Sequence, residues 1–152
     1  MSFELPQLDR TETKRAVEET LERYRIFKYL SFEEKEVSIT SSYEERLHGP
    51  TNETSDQVAK AATYNVDEPR KRQKYCERIE RAVRRLPKME RKLIEERYMT
   101  EESEYITDYA VYCHRFDPPI SERTYRKIRW KAFYKLALNL NLPIIQNSYE
   151  KM

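Results

Sequence analysis

Apolar side chains recur along this chain at spacings of three and four, and no stretch of any length alternates apolar and polar residues as a half-buried strand would. That periodicity confines the chain to an all-α fold, a helical bundle. A first helix is expected from near Asp9 or Thr11 to about Leu30, with Val17, Leu21, Tyr24 and Phe27 as its stripe and Ala16 and Leu30 beside it. The segment from Ser31 to Gly49 has no clear period, and its Val37-Ser38-Ile39-Thr40 reads as extended. Gly49-Pro50-Thr51-Asn52 signals a turn and the main hinge. A short helix is expected from Ser55 or Asp56 to about Tyr64, with Val58, Ala61 and Ala62 inward. Asp67 is then a cap candidate and Pro69 suits the first turn of a long helix whose stripe is Tyr75, Ile79, Ala82, Val83 and Leu86. Pro87 ends it. Further helices follow over Lys88 to Met99 (Leu93, Ile94, Arg97, Tyr98) and from Thr100 to about His114 (Tyr105, Ile106, Tyr109, Ala110, Cys113). Asp117-Pro118-Pro119 breaks the chain, and Asn141 and Pro143 stop the last helix near Leu140.

That last helix carries the most chemistry. Ser121 is a good N-cap, because its hydroxyl can accept from the open backbone N–H groups of the first turn. Tyr125, Ile128, Ala132 and Leu136 share one face. At about 100° per residue, Arg123, Lys127, Trp130 and Tyr134 lie opposite, flanked by Arg126 and Lys131. A capped helix with an apolar back and a cationic front is what a DNA major groove accepts.

Net charge is +2, but it is unevenly spread. Met1 to Glu68 holds 9 Lys/Arg against 15 Asp/Glu, and Pro69 to Met152 holds 20 against 12. Arg70 to Lys92 carries 11 basic and 3 acidic residues, and Ser121 to Leu138 carries 6 and 1. Leu93 to Ile120, between them, is acidic, with 7 against 2. Such a split predicts a half that binds a polyanion and an acidic half with another task, although solvated helix faces would give each cluster alone.

Other classes find little support. Charged residues make up 37% of the chain and mean hydropathy is −0.98, so no membrane partner is expected. Met1 to Pro6 has no basic segment followed by an apolar run, so no signal peptide is expected, and a cytoplasmic location fits. Cys76 and Cys113 read as buried or half-buried thiols in a reducing compartment. Cys113-His114 has no second pair at ligand spacing, so neither a metal nor a cofactor is expected. His48 and His114 have no nucleophile or ligand set near them, and Glu95-Glu96 and Glu101-Glu102 are adjacent pairs that share no helix face. No catalytic residue is assigned.

Two resemblances add to this reading. The run from Leu86-Pro87 through Glu90-Arg91 to Arg97-Tyr98 resembles the opening of the fourth region of bacterial sigma factors, and the Ser121 helix resembles that region's recognition helix. Taken whole, residues 14 to 142 look most like the ArpU family of phage and prophage transcriptional regulators. Leu21 to Lys28, Leu86 to Tyr98, Tyr109 to Tyr112, Thr124-Tyr125 and Lys131 to Ala137 carry that resemblance. It implies a sigma region 4-like helix-turn-helix that binds double-stranded DNA near a late phage promoter, controlling packaging and lysis genes. The chain departs from the pattern in its turn: ten residues separate Ala110 from Ser121, with Asp117-Pro118-Pro119 in place of a short glycine-containing turn.

On that basis the expected regions are 1–66, an acidic helical arm; 67–142, the helix-turn-helix domain; and 143–152, a polar tail. Within the reading helix, 121–138, Arg123, Thr124, Arg126 and Lys127 would reach base edges. Ser121 and the helix N-terminus would hold a phosphate. Arg129, Lys131 and Lys135 would meet phosphate or solvent, and Arg84, Arg85, Lys88, Arg91 and Lys92 the flanking backbone. Trp130 reads either as a packing residue against the N-terminal part or a partner, or as part of the front. The stripe of Val17, Leu21, Tyr24 and Phe27 covers either the core or a second copy of the chain, which would make a homodimer. The acidic part would offer a surface to RNA polymerase. The alternatives are a small terminase subunit and a polymerase-binding adaptor.

Overall fold

The computed structural model describes residues 4–41 and 56–143, with side chains over 4–31 and 67–143. The fold is all-α, and no strand is present among the described residues. In chain order the helices are α1 (Arg10–Ser41), α2 (Asp56–Arg84), α3 (Lys88–Tyr98), α4 (Asp108–Ala110) and α5 (Glu122–Asn139). A 3-10 turn, Glu101–Glu104, precedes α4, and a π-helical turn, Val111–Arg115, follows it directly. The Gly49 to Asn52 turn, the side chains of Val58, Ala61 and Ala62, and the tail beyond Pro143 lie outside the described residues.

Three elements differ from expectation. α1 begins where the sequence places it, with the Asp9 Oδ1 accepting from the Glu12 N–H at 2.9 Å, but it continues to Ser41 and takes Val37 to Thr40 into the helix. β-branched residues lose only a few tenths of a kcal/mol in a helix, and Glu33, Glu34, Lys35 and Glu36 before them are good helix formers. α2 is continuous through Pro69, which opens no new helix, and Asp67 caps nothing. Proline removes one intrahelical hydrogen bond, and helix-forming Ala59 to Ala62 and Arg70 to Arg72 flank it on either side.

The third difference is the expected helix over Thr100 to His114, which is interrupted. Thr100 and Ser103 form a reciprocal capping box, with the Thr100 N–H donating to the Ser103 Oγ at 2.9 Å. Seven residues later the Thr107 Oγ1 accepts from the Ala110 N–H at 3.1 Å with its backbone extended, which starts a second element. Threonine hydroxyls that can satisfy backbone donors favour such starts over helix interiors. The buried residues here are Ser103, Val111 and Phe116, whereas Tyr105 is 85% exposed and Tyr109 62%.

The described residues fall into two compact units, the first of them discontinuous in sequence. One comprises 4–25 with 79–143, and the other lies within 26–78. The limits between the units fall at 25/26 and 78/79. In the first unit, Val17 and Leu21 of α1, Ile79 and Val83 of α2, Leu93 and Ile94 of α3, Val111, and Tyr125, Phe133 and Leu136 of α5 are each at most 1% exposed. α3 packs most extensively on α5, with the Tyr98 and Phe133 rings 5.6 Å apart. In the second unit, Phe27 meets Tyr75 edge to face at 5.2 Å, and Cys76 is buried.

Candidate nucleic-acid interface

Ser121 starts α5 as its sequence predicts. Its backbone is extended, and its Oγ accepts the Thr124 N–H at 3.1 Å and donates to the Thr124 Oγ1 at 2.9 Å. The helix ends in a Schellman turn: Leu142 N–H donates to the Ala137 carbonyl at 3.1 Å and Asn141 N–H to the Leu138 carbonyl at 3.3 Å. Asn141 sits at φ 50°, a left-handed conformation that asparagine tolerates better than most residues.

The inner face of α5 is pinned by two charged ties. Asp108 Oδ1 accepts from the Tyr125 hydroxyl at 2.8 Å and from Arg97 Nε at 2.9 Å, and its Oδ2 accepts from Arg129 at 3.2 Å. Burial alone would raise the Asp108 pKa. The bonds from Tyr125 and Arg97, with the charges of Arg129 and Arg97, outweigh it and hold the carboxyl below its usual range. Burial and this carboxylate push the Tyr125 phenol well up, so it stays a donor. Lys135 makes the second tie, with its Nζ 2.9 and 3.0 Å from the two oxygens of the buried Glu90 on α3. Arg129 and Lys135, expected to meet phosphate or solvent, are thus engaged with carboxylates of the fold.

With those two cations engaged by the fold, Ser121, Arg123, Thr124, Arg126, Lys127 and Lys131 are all exposed, and Arg123 and Lys127 lie opposite the apolar stripe, flanked by Arg126 and Lys131. Arg126 pairs with Glu122 one turn earlier. Among the described residues, Arg123, Lys127 and Lys131 have no ion-pair partner. Arg123, Arg126, Lys127 and Lys131 line a groove of about 450 Å³ with Glu122, Trp130 and Arg10. Trp130 is half-buried, its ring 5.9 Å from Tyr134 and beneath the Arg10 guanidinium at 4.8 Å. It therefore packs against the N-terminal part of the chain.

The two site residues expected on α3 are placed differently from each other. Arg91 is exposed, with Glu95 at 3.8 Å. Lys92 is half-buried, its Nζ 5.7 Å from the Phe116 ring. Sequence reasoning missed Arg10, Glu90 and Asp108. Arg10 was hidden by the negative sum of its region, and the two carboxylates gave no signal that distinguished them from solvated ones. No group of His, Cys, Asp or Glu that could hold a metal ion occurs among the described residues. No helix among them is long and apolar enough to cross a membrane.

Comparison with known proteins gives two relatives that match nearly end to end. The chain is 28% identical over 142 residues to an uncharacterised phage-related protein of Listeria innocua, covering 93% of this chain and 96% of that protein. It is 25% identical over 146 residues to protein Gp66 of Listeria phage A118, covering 94% and 96%. No protein-family model and no solved structure matches the sequence.

Proposed function

We propose that this chain is a sequence-specific DNA-binding regulator of late phage genes, those for packaging and lysis, and that α5 is its reading helix in a sigma region 4-like helix-turn-helix. The observation that carries this reading is the outer face of α5. A capped helix is pinned from behind by Asp108 and Glu90, and its open first turns present Arg123 and Lys127, which have no ion-pair partner among the described residues. The likeness to phage proteins over almost the whole length supports the setting, and the ArpU resemblance supports the role.

In this mechanism the helix enters the major groove by its N-terminal end. Arg123, Arg126 and Lys127 reach base edges, where an arginine fork can bond the O6 and N7 of a guanine. Arg126 would first leave Glu122, an exposed pair worth only about 0.3–0.5 kcal/mol. Lys131 and Arg91 meet phosphates. Arg129 acts indirectly, by holding the helix in register through Asp108.

The test is a comparison of binding by Arg123→Ala, Lys127→Ala and the unaltered protein to a duplex from late-promoter DNA. Loss of a base contact should weaken specific binding by about 1–3 kcal/mol. Equal affinity in both variants would remove α5 as the reading helix. Mass in solution separates the terminase alternative, which requires a large ring.

A further inference from the structure

We infer that Arg10, the first residue of α1, held over the Trp130 ring, contacts the DNA backbone, so that the start of α1 is part of the duplex-binding surface rather than of a separate acidic arm. The inference rests on the reading of α5 as the DNA-facing helix.

The outer face of α5 changes character along its length. Its first two turns are cationic. At about 100° per residue, Trp130 and Tyr134 continue the same face, and both are covered by the N-terminal segment. The Arg10 guanidinium lies 4.8 Å from the indole centroid, and the Tyr134 hydroxyl donates to the Pro6 carbonyl at 2.6 Å. The exposed cations of this face, Arg123 to Lys131, rise about 12 Å along the helix at about 1.5 Å per residue, close to the roughly 12 Å width of a major groove. The segment therefore stands where the phosphate wall of that groove would pass.

Arg10 is suited to meet that wall. Its neighbour Asp9 has its Oδ1 on the Glu12 N–H at 2.9 Å. Among the described residues Arg10 has no ion-pair partner. Stacking on indole leaves the edges of the guanidinium fork free and limits its rotamers before any ligand arrives, which lowers the ordering cost of a phosphate contact. Arg10 shares its groove with four cations of α5 and one carboxylate, Glu122, itself paired with Arg126. A strand with one phosphate about every 3.4 Å answers such a spread of charge better than a single anion does.

The experiment titrates full-length protein with a random-sequence duplex over a salt series, because a phosphate contact is independent of sequence. Arg10→Ala should lower the salt slope by about 0.9 and weaken binding about fivefold near 0.15 M salt. Arg10→Lys, which keeps the charge but not the fork, should keep the slope and lose part of the affinity. Unchanged slope and affinity in Arg10→Ala, with Lys131→Ala weakened, would overturn the role of Arg10 and leave α5 as the DNA face. No duplex binding by the unaltered protein would overturn both. A single-stranded oligonucleotide competing as well as the duplex would also overturn it, since Trp130 would then serve as a base-stacking platform. Unaltered helical circular dichroism in both variants shows that the fold is intact.

Discussion

Arg129 and Tyr125, one turn apart on α5, converge on the single carboxylate of Asp108, at 3.2 Å from its Oδ2 and 2.8 Å from its Oδ1. Arg97 of α3 completes the set at 2.9 Å and also donates to the Ser103 carbonyl at 3.1 Å. Asp108, at the start of α4, thus joins α3 to two turns of α5, and Arg97 brings in the 3-10 turn. This fixes the rotation of α5 about its own axis. With Tyr125 and Arg129 held inward, helical spacing puts Arg123, Lys127 and Lys131 outward.

Removing that charge should loosen the domain. Asp108→Asn keeps the shape but weakens three charge-assisted hydrogen bonds, each worth about 1.5–3 kcal/mol when buried. Because the Asp108 side chain is 41% exposed, solvent screening reduces the total, and a loss of about 1–2 kcal/mol is expected in urea unfolding. A stability equal to that of the unaltered protein would show that Asp108 does not tie the elements together.

The same residue predicts a pH dependence. Asp108 has its folded pKa held below the usual carboxyl value, so its contribution is complete above that value and is lost as pH falls through the folded one. The stability gap between the unaltered protein and Asp108→Asn should stay constant from neutral pH to about 5 and close below about 4. A gap that widened on acidification would contradict the sign.

The Glu90–Lys135 tie should respond asymmetrically. Lys135→Met leaves a carboxylate only 9% exposed without its cation and should cost about 1–3 kcal/mol, less than for a fully buried pair because Lys135 itself is 48% exposed. Glu90→Leu combined with Lys135→Met should recover most of that loss. Thermal unfolding of the single and double variants distinguishes this from simple additivity.

Asn141 offers a backbone test. Asn141→Gly should leave stability unchanged or raise it by a few tenths of a kcal/mol, whereas Asn141→Val, β-branched at φ 50°, should cost about 1–2 kcal/mol. Equal melting temperatures for the two variants would mean that the Schellman turn is not required to end α5.

What the sequence showed and what it hid follow from the range of the interactions. The Ser121 cap, the start of α1 at Asp9 and the span of α3 are local, governed by side chains within four residues, and each appears where expected. Pro69 and Val37 to Thr40 were read by propensities of tenths to a few kcal/mol, which longer helices overrode. Thr100 to His114 has a helical stripe and two competing N-caps, and spacing alone gave no way to choose between them. The fates of Arg129, Lys135 and Arg10 depend on residues 21, 45 and 120 positions away, beyond any local pattern. The cationic face was therefore legible as a face, while the carboxylates that engage Arg129 and Lys135 and the placement of Arg10 over Trp130 were not.

The most direct test of the central claim is nuclease footprinting of the purified protein on its own phage's DNA, upstream of the packaging genes. A discrete protected site that disappears with Lys127→Ala, while Arg91→Ala weakens protection without moving it, is the predicted result. Uniform protection along the DNA, or a site that Lys127→Ala leaves intact, would contradict sequence reading by α5.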